Sequence, residues 1–320
     1  MKQIALRGWN DGKPFTFSCS QLVLGSANCL CKDRREEAFA LLDAFFAAGG
    51  NTFDVARHYR ASETVVGDWI AQRGLREQVR IATKGGHPTR EEPERSRITP
   101  PAIDEDIFTS LEQLQTNYID LYALHRDDPS VDVSSLMSCL HEHVLKGRIR
   151  AIGVSNWSQA RITEAQNFIA RHGLTPLSFN SPQLSLAQSR VPRWPGCVSA
   201  APQMQQWHQQ TQLPLIAWSS QAGGFFSGLY GPNRLPQEQE MVDAFCFDDN
   251  WQRLSRAQQL AQRKNVNAIN IALAWVLARP FPCAAIIGPE TPAELADCLR
   301  AAALTLTTEE LNWLETGDKA

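Results

Sequence analysis

The spacing of apolar positions along this chain switches repeatedly between two patterns. Short runs that are apolar almost throughout cover residues 22–26, 51–54, 79–84, 118–125, 149–155, 177–184, 213–218 and 283–287. Such runs predict strands with both faces covered. Between them, apolar residues recur three and four apart, as on one face of a helix. Residues 35–48 place Ala38, Leu41, Leu42, Phe45 and Phe46 this way, and Gly49-Gly50 ends the element. Further helices are predicted over 62–72, with Ser62 as N-cap and Gly74 as stop, and over 102–115, 133–146, 158–172 and 201–210. After residue 218 comes a long loop, then helices over 251–263 and 268–278, a short one from Pro292 and a last one over 308–315. Ahead of all this, Asn10-Asp11-Gly12-Lys13-Pro14 lies between two short β-type runs and predicts a hairpin.

Eight strand-helix units in 320 residues point to an α/β fold, a parallel (β/α)8 TIM barrel with an N-terminal hairpin and extra C-terminal helices, as one domain over 1–320. The doubly wound alternative lacks its GxGxxG after any predicted strand. The formal net charge of −3 gives no reason to expect nucleic acid. No apolar segment of signal-peptide type opens the chain, and no run approaches the roughly 20 apolar residues of a membrane span. Eight scattered cysteines without a CxxC pair read as reduced thiols of a cytoplasmic protein. Cys29-Leu30-Cys31 is the one close pair, and metal use of it is not expected. His141 and His143 are two apart on a predicted helix, so they face different ways and cannot chelate one ion.

In a barrel of this kind the C-terminal strand ends converge on one mouth, where chemistry sits. Here those ends are Asp54, Lys84, His125, Ser155-Asn156, Gln183, Trp218-Ser219 and Gly288. A ring of polar and stacking residues describes a pocket for a polar, planar ligand. Lys84 closes an apolar strand, so its ammonium needs a partner, and Asp54 on the neighbouring strand supplies one. Tyr59, five residues past Asp54, is expected over the mouth. A cation beside a phenol lowers its pKa and makes it a better proton donor near neutral pH.

Asp54, Tyr59, Lys84 and His125 resemble, in order and spacing, the catalytic tetrad of the aldo-keto reductase superfamily. Gly153-Val154-Ser155-Asn156-Trp157 is similar to that family's GxSN segment. The resemblance implies an NAD(P)H-dependent carbonyl reductase needing no metal. Under it, Tyr59 is the general acid, Lys84 held by Asp54 lowers its pKa, and His125 orients the carbonyl. Ser155, Asn156 and Gln183 would bind the nicotinamide carboxamide, and Trp218 would stack on the ring, where many relatives use Tyr. Residues 219–228, with Ser219, Gly223 and Gly228, resemble the cofactor-clamping loop. Ser220, Gln221 and Leu229 depart from its usual pattern, and Arg234 is a candidate for the missing charge. Gly288, Glu290 and Glu294 stand at the adenosine end. Glu290 would repel a 2′-phosphate and accept a hydrogen bond from a free ribose 2′-hydroxyl, so NADP(H) and NAD(H) stay open. Candidate substrate contacts are Asn28, Arg57, His87, Arg126 and Trp157, with His58, Arg60 and Asp127 nearby. They suit a small polar substrate, a sugar or an anionic aldehyde. Alternatives are an NAD-dependent sugar dehydrogenase and a cofactor-sensing accessory protein like the potassium-channel β subunits.

Overall fold

A computed structural model describes residues 1–10, 12–27 and 34–318. The chain opens with β1 (Gln3–Asn10) and β2 (Lys13–Ser20), an antiparallel hairpin in which Asn10 faces Lys13. Gly12 has φ 72°, the left-handed region that such tight turns demand.

The barrel strands follow: β3 (Leu22–Gly25), β4 (Thr52–Asp54), β5 (Arg80–Gly85), β6 (Ile119–Leu124), β7 (Ile149–Ser155), β8 (Leu177–Ser181), β9 (Leu215–Ala217) and β10 (Cys283–Ile287). They are parallel and close in sequence order, with β10 pairing back onto β3. Helices α1 (Arg35–Ala47), α2 (Ser62–Arg73), α3 (Pro100–Gln113), α4 (Val133–Leu145), α5 (Gln159–His172) and α6 (Pro202–Thr211) follow successive strands. After β9 come α7 (Gln239–Phe245), α8 (Asp248–Lys264) and α9 (Ala268–Leu277); α10 (Pro292–Ala303) and α11 (Thr308–Thr316) end the described chain. The (β/α)8 expectation therefore holds, hairpin and extra helices included.

The barrel interior is filled by small and aromatic side chains. Phe179 lies across Gly153, where any Cβ would stand 2.2 Å from its ring. Ile4, Leu6, Phe17 and Cys19 of the hairpin pack on Val23, Leu121, Ala151 and Ile216 from the barrel wall. The hairpin thus plugs the N-terminal end and leaves the opposite end as the open mouth. Below the mouth, buried Asp120 accepts from Arg76 at 2.8 Å and from the Ile81 amide at 3.1 Å.

Three details depart from the sequence reading. Ser62 is the first helical residue and not the N-cap; that position is Ala61, and the Ser62 hydroxyl is buried without a partner. Strands β8 and β9 are shorter than expected because Pro182 and Pro214, which lack an N–H, stand at their ends. Gln183 and Trp218 still pair across these ends as an isolated bridge. The expected long loop after β9 contains α7, and α8 starts at Asp248 rather than 251.

Candidate active site

Lys84 and Asp54 project into the barrel mouth from adjacent strands. The ammonium donates to Asp54 Oδ1 at 2.5 Å and to the Val55 carbonyl at 3.1 Å. Both side chains are 5% exposed, so neither charge is shared with bulk water. The chain after β4 is tied to β5, since Arg57 N donates to Lys84 O at 3.0 Å. A tight turn, Tyr59 N to Ala56 O at 2.9 Å, then brings Tyr59 over the pair. Lys84 Nζ lies 5.1 Å from the Tyr59 ring centre. The phenol oxygen lies 3.5 Å from His125 Nε2. Four residues, from β4, β5, the end of β6 and one loop, therefore gather around Tyr59.

The electrostatics of the four are unequal. Burial alone would push the Lys84 ammonium down, but Asp54, with Tyr59 and Glu63 adding to it, overrides burial and leaves it above its ordinary value. Burial raises the Asp54 carboxyl, against the pull of Lys84. The pair at neutral pH is an ammonium against a carboxylate. His125 is driven well below the ordinary imidazole value by burial first, then by Lys84, Arg126, His87 and His58. It is a neutral ring, and its Nδ1 is buried without a partner. Tyr59 corrects the sequence reading. Lys84 does pull its pKa down, but burial outweighs that pull and the net shift is upward. The phenol is protonated across the neutral range, the form that can donate.

The ledge beside this centre is built by β7, β8 and β9. Ser155 Oγ donates to Ser181 O at 2.7 Å. Asn156, in a left-handed conformation with φ 63°, is committed at both ends of its amide. Its Nδ2 donates to His125 O at 3.0 Å and to Ser155 Oγ at 3.1 Å, and its Oδ1 accepts from Val198 N at 3.1 Å. Gln183 Nε2 donates to Ser185 Oγ at 2.8 Å; its Oε1 has no hydrogen bond among the described residues. Trp218 is half-buried and its indole N–H is buried without a partner. Ser219 and Ala222 hold φ of 49° and 50°, so strained backbone gathers where β9 leaves the barrel. Gly223 and Gly228 take the left-handed turns of the same loop, at 61° and 86°.

At the β10 end, Gly288, Glu290 and Glu294 are exposed. Glu294 closes back on its own loop, accepting from Glu290 N at 2.8 Å, which leaves the Glu290 carboxylate facing solvent. Arg234 is also committed locally, donating to Gly228 O at 2.6 Å.

Of the substrate candidates, Arg57, His87 and Arg126 are half-buried near the mouth, and Asn28 lies outside the described residues. Trp157 is 0% exposed, with its indole N–H on Arg126 O at 3.1 Å and Arg161 over its ring. It belongs to the wall behind the pocket and cannot touch a substrate there.

Sequence reading missed Arg193 and Trp194, on the loop between β8 and α6. Trp194 stacks on Trp218 with ring centres 5.9 Å apart, and the Arg193 guanidinium lies 4.4 Å over Trp194. Arg193 Nη1 reaches Ser219 Oγ at 3.5 Å, while its Nε is buried without a partner. Gly223 makes room for it, since a Cβ there would come 3.0 Å from Nη1. A readable signal existed: the connection from Pro182 to Ala201 is long for a βα loop, and such loops tend to carry function.

Away from the mouth, Asp104, Cys139 and His143 bring ligand atoms within 4.8 Å of one another, the one such cluster among the described residues. His143 Nε2 already bonds Asp104 at 2.7 Å, tying α4 to α3, while His141 turns to Thr175, as its spacing from His143 requires.

Comparison with known proteins agrees with this geometry. A model of the aldo/keto reductase family matches residues 21–318. Norsolorinic acid reductase stcV of Emericella nidulans is 30% identical over 296 residues, 88% of this chain and 72% of that protein. The uncharacterized oxidoreductase YrpG of Bacillus subtilis is 28% identical over 310 residues, covering 92% and 91%. An aryl-alcohol dehydrogenase [NADP(+)] of Phanerodontia chrysosporium is 25% identical over 296 residues, covering 88% and 75%. The chain belongs to the aldo/keto reductase family. It is an NAD(P)H-dependent oxidoreductase that acts on carbonyl compounds. No helix among the described residues is long and apolar enough to cross a membrane.

Proposed function

We propose that this enzyme reduces the carbonyl of a small, polar aldehyde or ketone to the alcohol, with Tyr59 as proton donor. The observation that carries this reading is the convergence of a protonated phenol, a neutral imidazole and a buried ammonium-carboxylate pair on one point. The bound nicotinamide supplies the hydride. Tyr59 gives its proton to the carbonyl oxygen as negative charge develops there. Lys84, fixed by Asp54, stabilises the phenolate left behind. His125 is a polar group at the same oxygen and brings no second proton, because it is neutral. General acid catalysis of this kind contributes roughly 10²–10⁴-fold.

The ledge fits a nicotinamide dinucleotide. Gln183 Oε1 is an acceptor for the carboxamide NH2, and Ser155 and Asn156 frame that position. Trp218 offers a flat face. Ser219, Gly223 and Gly228 supply backbone for the phosphates, and the buried, unmet Nε donor of half-buried Arg193 needs an anion such as they provide. Arg234, Gly288, Glu290 and Glu294 surround the adenosine end. The solvent-facing Glu290 favours NAD(H), and with it the reverse reaction, a sugar dehydrogenase, as a second reading. The test is Tyr59→Phe: turnover falls at least 100-fold while cofactor affinity by fluorescence titration persists. Equal loss of both would sink the assignment.

A further inference from the structure

Three histidines cluster beside Tyr59, and His125, the one at its hydroxyl, suffices for the chemistry above. His58 and His87 stack face to face with ring centres 3.6 Å apart and planes 20° apart. His87 meets His125 edge-on at 5.0 Å, and His58 stands 6.3 Å from the same ring. The two therefore wall the space in front of the proton donor.

The fourth wall is Arg126. Its Nη1 donates to the His125 carbonyl at 3.1 Å, and its charge acts on His58, His87 and His125. A guanidinium carries five N–H donors, so most of Arg126's capacity remains to be met. Among the described residues no carboxylate pairs with it. The adjacent Asp127 is turned away and bonds Arg161 at 3.2 Å. Gly196, on the loop between β8 and α6, packs beside the Arg126 stem, where a Cβ would make ordinary contact at 3.6 Å.

The charges acting on the two stacked histidines have one sign. The charges that act on His58 are Arg90 and Arg126, and on His87 they are Arg126 and His58. No acid is among them. Burial pushes His87 down to about 4, with Arg126 and His58 adding to it against the Pro88 carbonyl. His87 Nδ1 is 2.8 Å from that carbonyl, which assigns its N–H there and makes the ring a neutral wall, not a donor. A neutral substrate would leave Arg126 without a counter-charge in a half-buried site. A carboxylate would satisfy its planar fork through two parallel hydrogen bonds.

We propose that Arg126, walled by the stacked and neutral His58–His87 pair, forms a subsite for a carboxylate carried on the same molecule as the reducible carbonyl. The physiological substrates are then aldehyde or keto acids, with the carbonyl at Tyr59 and His125 and the acid group at Arg126. This rests on the reductase reading and narrows its substrate class.

The experiment compares 4-carboxybenzaldehyde with its methyl ester, at saturating cofactor, in the native enzyme and in Arg126→Met and Arg126→Lys. The acid is expected to exceed the ester in kcat/KM by about 10-fold or more, the value of a charge-assisted hydrogen-bonded contact. Arg126→Met should collapse that ratio towards one, chiefly through KM for the acid, and Arg126→Lys should retain part of it. An ester as good as the acid in the native enzyme overturns the proposal. So does an equal loss on both substrates in Arg126→Met, which is what a structural role would give. Benzoate binding, followed by tryptophan fluorescence, tests the subsite without turnover. Benzoate bound by the native protein and lost in Arg126→Met supports it even if no aldehyde is reduced, an outcome that would overturn the reductase reading alone. Benzoate affinity unaltered by Arg126→Met overturns the subsite.

Discussion

Replacing Asp54 by Asn removes the carboxylate in direct contact with the buried Lys84 charge, at 2.5 Å. At that separation and an effective dielectric of about 20, the lost attraction is about 6–7 kcal/mol. Lys84 has a less costly escape, which is to fold without its proton. That costs about 1.36 kcal/mol for each pH unit below the free lysine value of about 10.4, or about 4.6 kcal/mol at pH 7. The smaller figure wins, so the variant should lose 3–5 kcal/mol, the usual range for breaking a buried pair. The pH dependence follows with a definite sign. In the native protein the folded pKa of Lys84 is raised, so its contribution is complete below the unfolded value and lost only as pH rises through the folded one. In Asp54→Asn the folded pKa is depressed, because burial loses its main opponent and only Tyr59 and Glu63 still act against it. The penalty is then largest near neutral pH and shrinks as the unfolded lysine also loses its proton, to about 1.2 kcal/mol at pH 9.5. Urea unfolding of both proteins at pH 7 and pH 9.5, read by tryptophan fluorescence, measures the gap. A gap of the same size at both pH values would refute the reasoning, since a packing defect has no reason to titrate with lysine.

Other consequences are open to equally direct tests. Arg193→Met should weaken NADH and NADPH alike by about 10–100-fold in titrations, as losing a charged hydrogen-bond partner does; loss with NADPH alone would place Arg193 at the 2′-phosphate. Gly153→Ala should cost about 1–3 kcal/mol in thermal or urea unfolding, because its methyl would meet the Phe179 ring at 2.2 Å. With His125 held neutral and Tyr59 raised, kcat for reduction should be flat from about pH 6 to 9; an inflection near pH 6.5 that disappears in His125→Asn would contradict a neutral imidazole.

Much of this protein was legible in one dimension. Strands buried on both faces and helices with one apolar stripe leave different periods in the sequence, so the eight units and their order were readable before any coordinates. The barrel rule then placed Asp54, Lys84, His125, Ser155 and Gln183 at one mouth, because parallel strands in a closed sheet end at the same side. What the periods could not fix was the degree of burial around each group. A lysine near a phenol lowers the phenol's pKa in any sequence argument; only the packed site shows that burial of Tyr59 outweighs Lys84. Trp157 looked like a mouth residue from its place after Asn156, and the backbone turn at Asn156 sends it into the wall instead. Where Arg193, Trp194 and the His58–His87 stack land was out of reach for a further reason. Loops have no period, so where their side chains land is set by contacts between segments distant in the chain. Trp194 on Trp218, Arg193 beside Gly223 and His58 on His87 are all contacts of that kind, and only the folded chain brings them together.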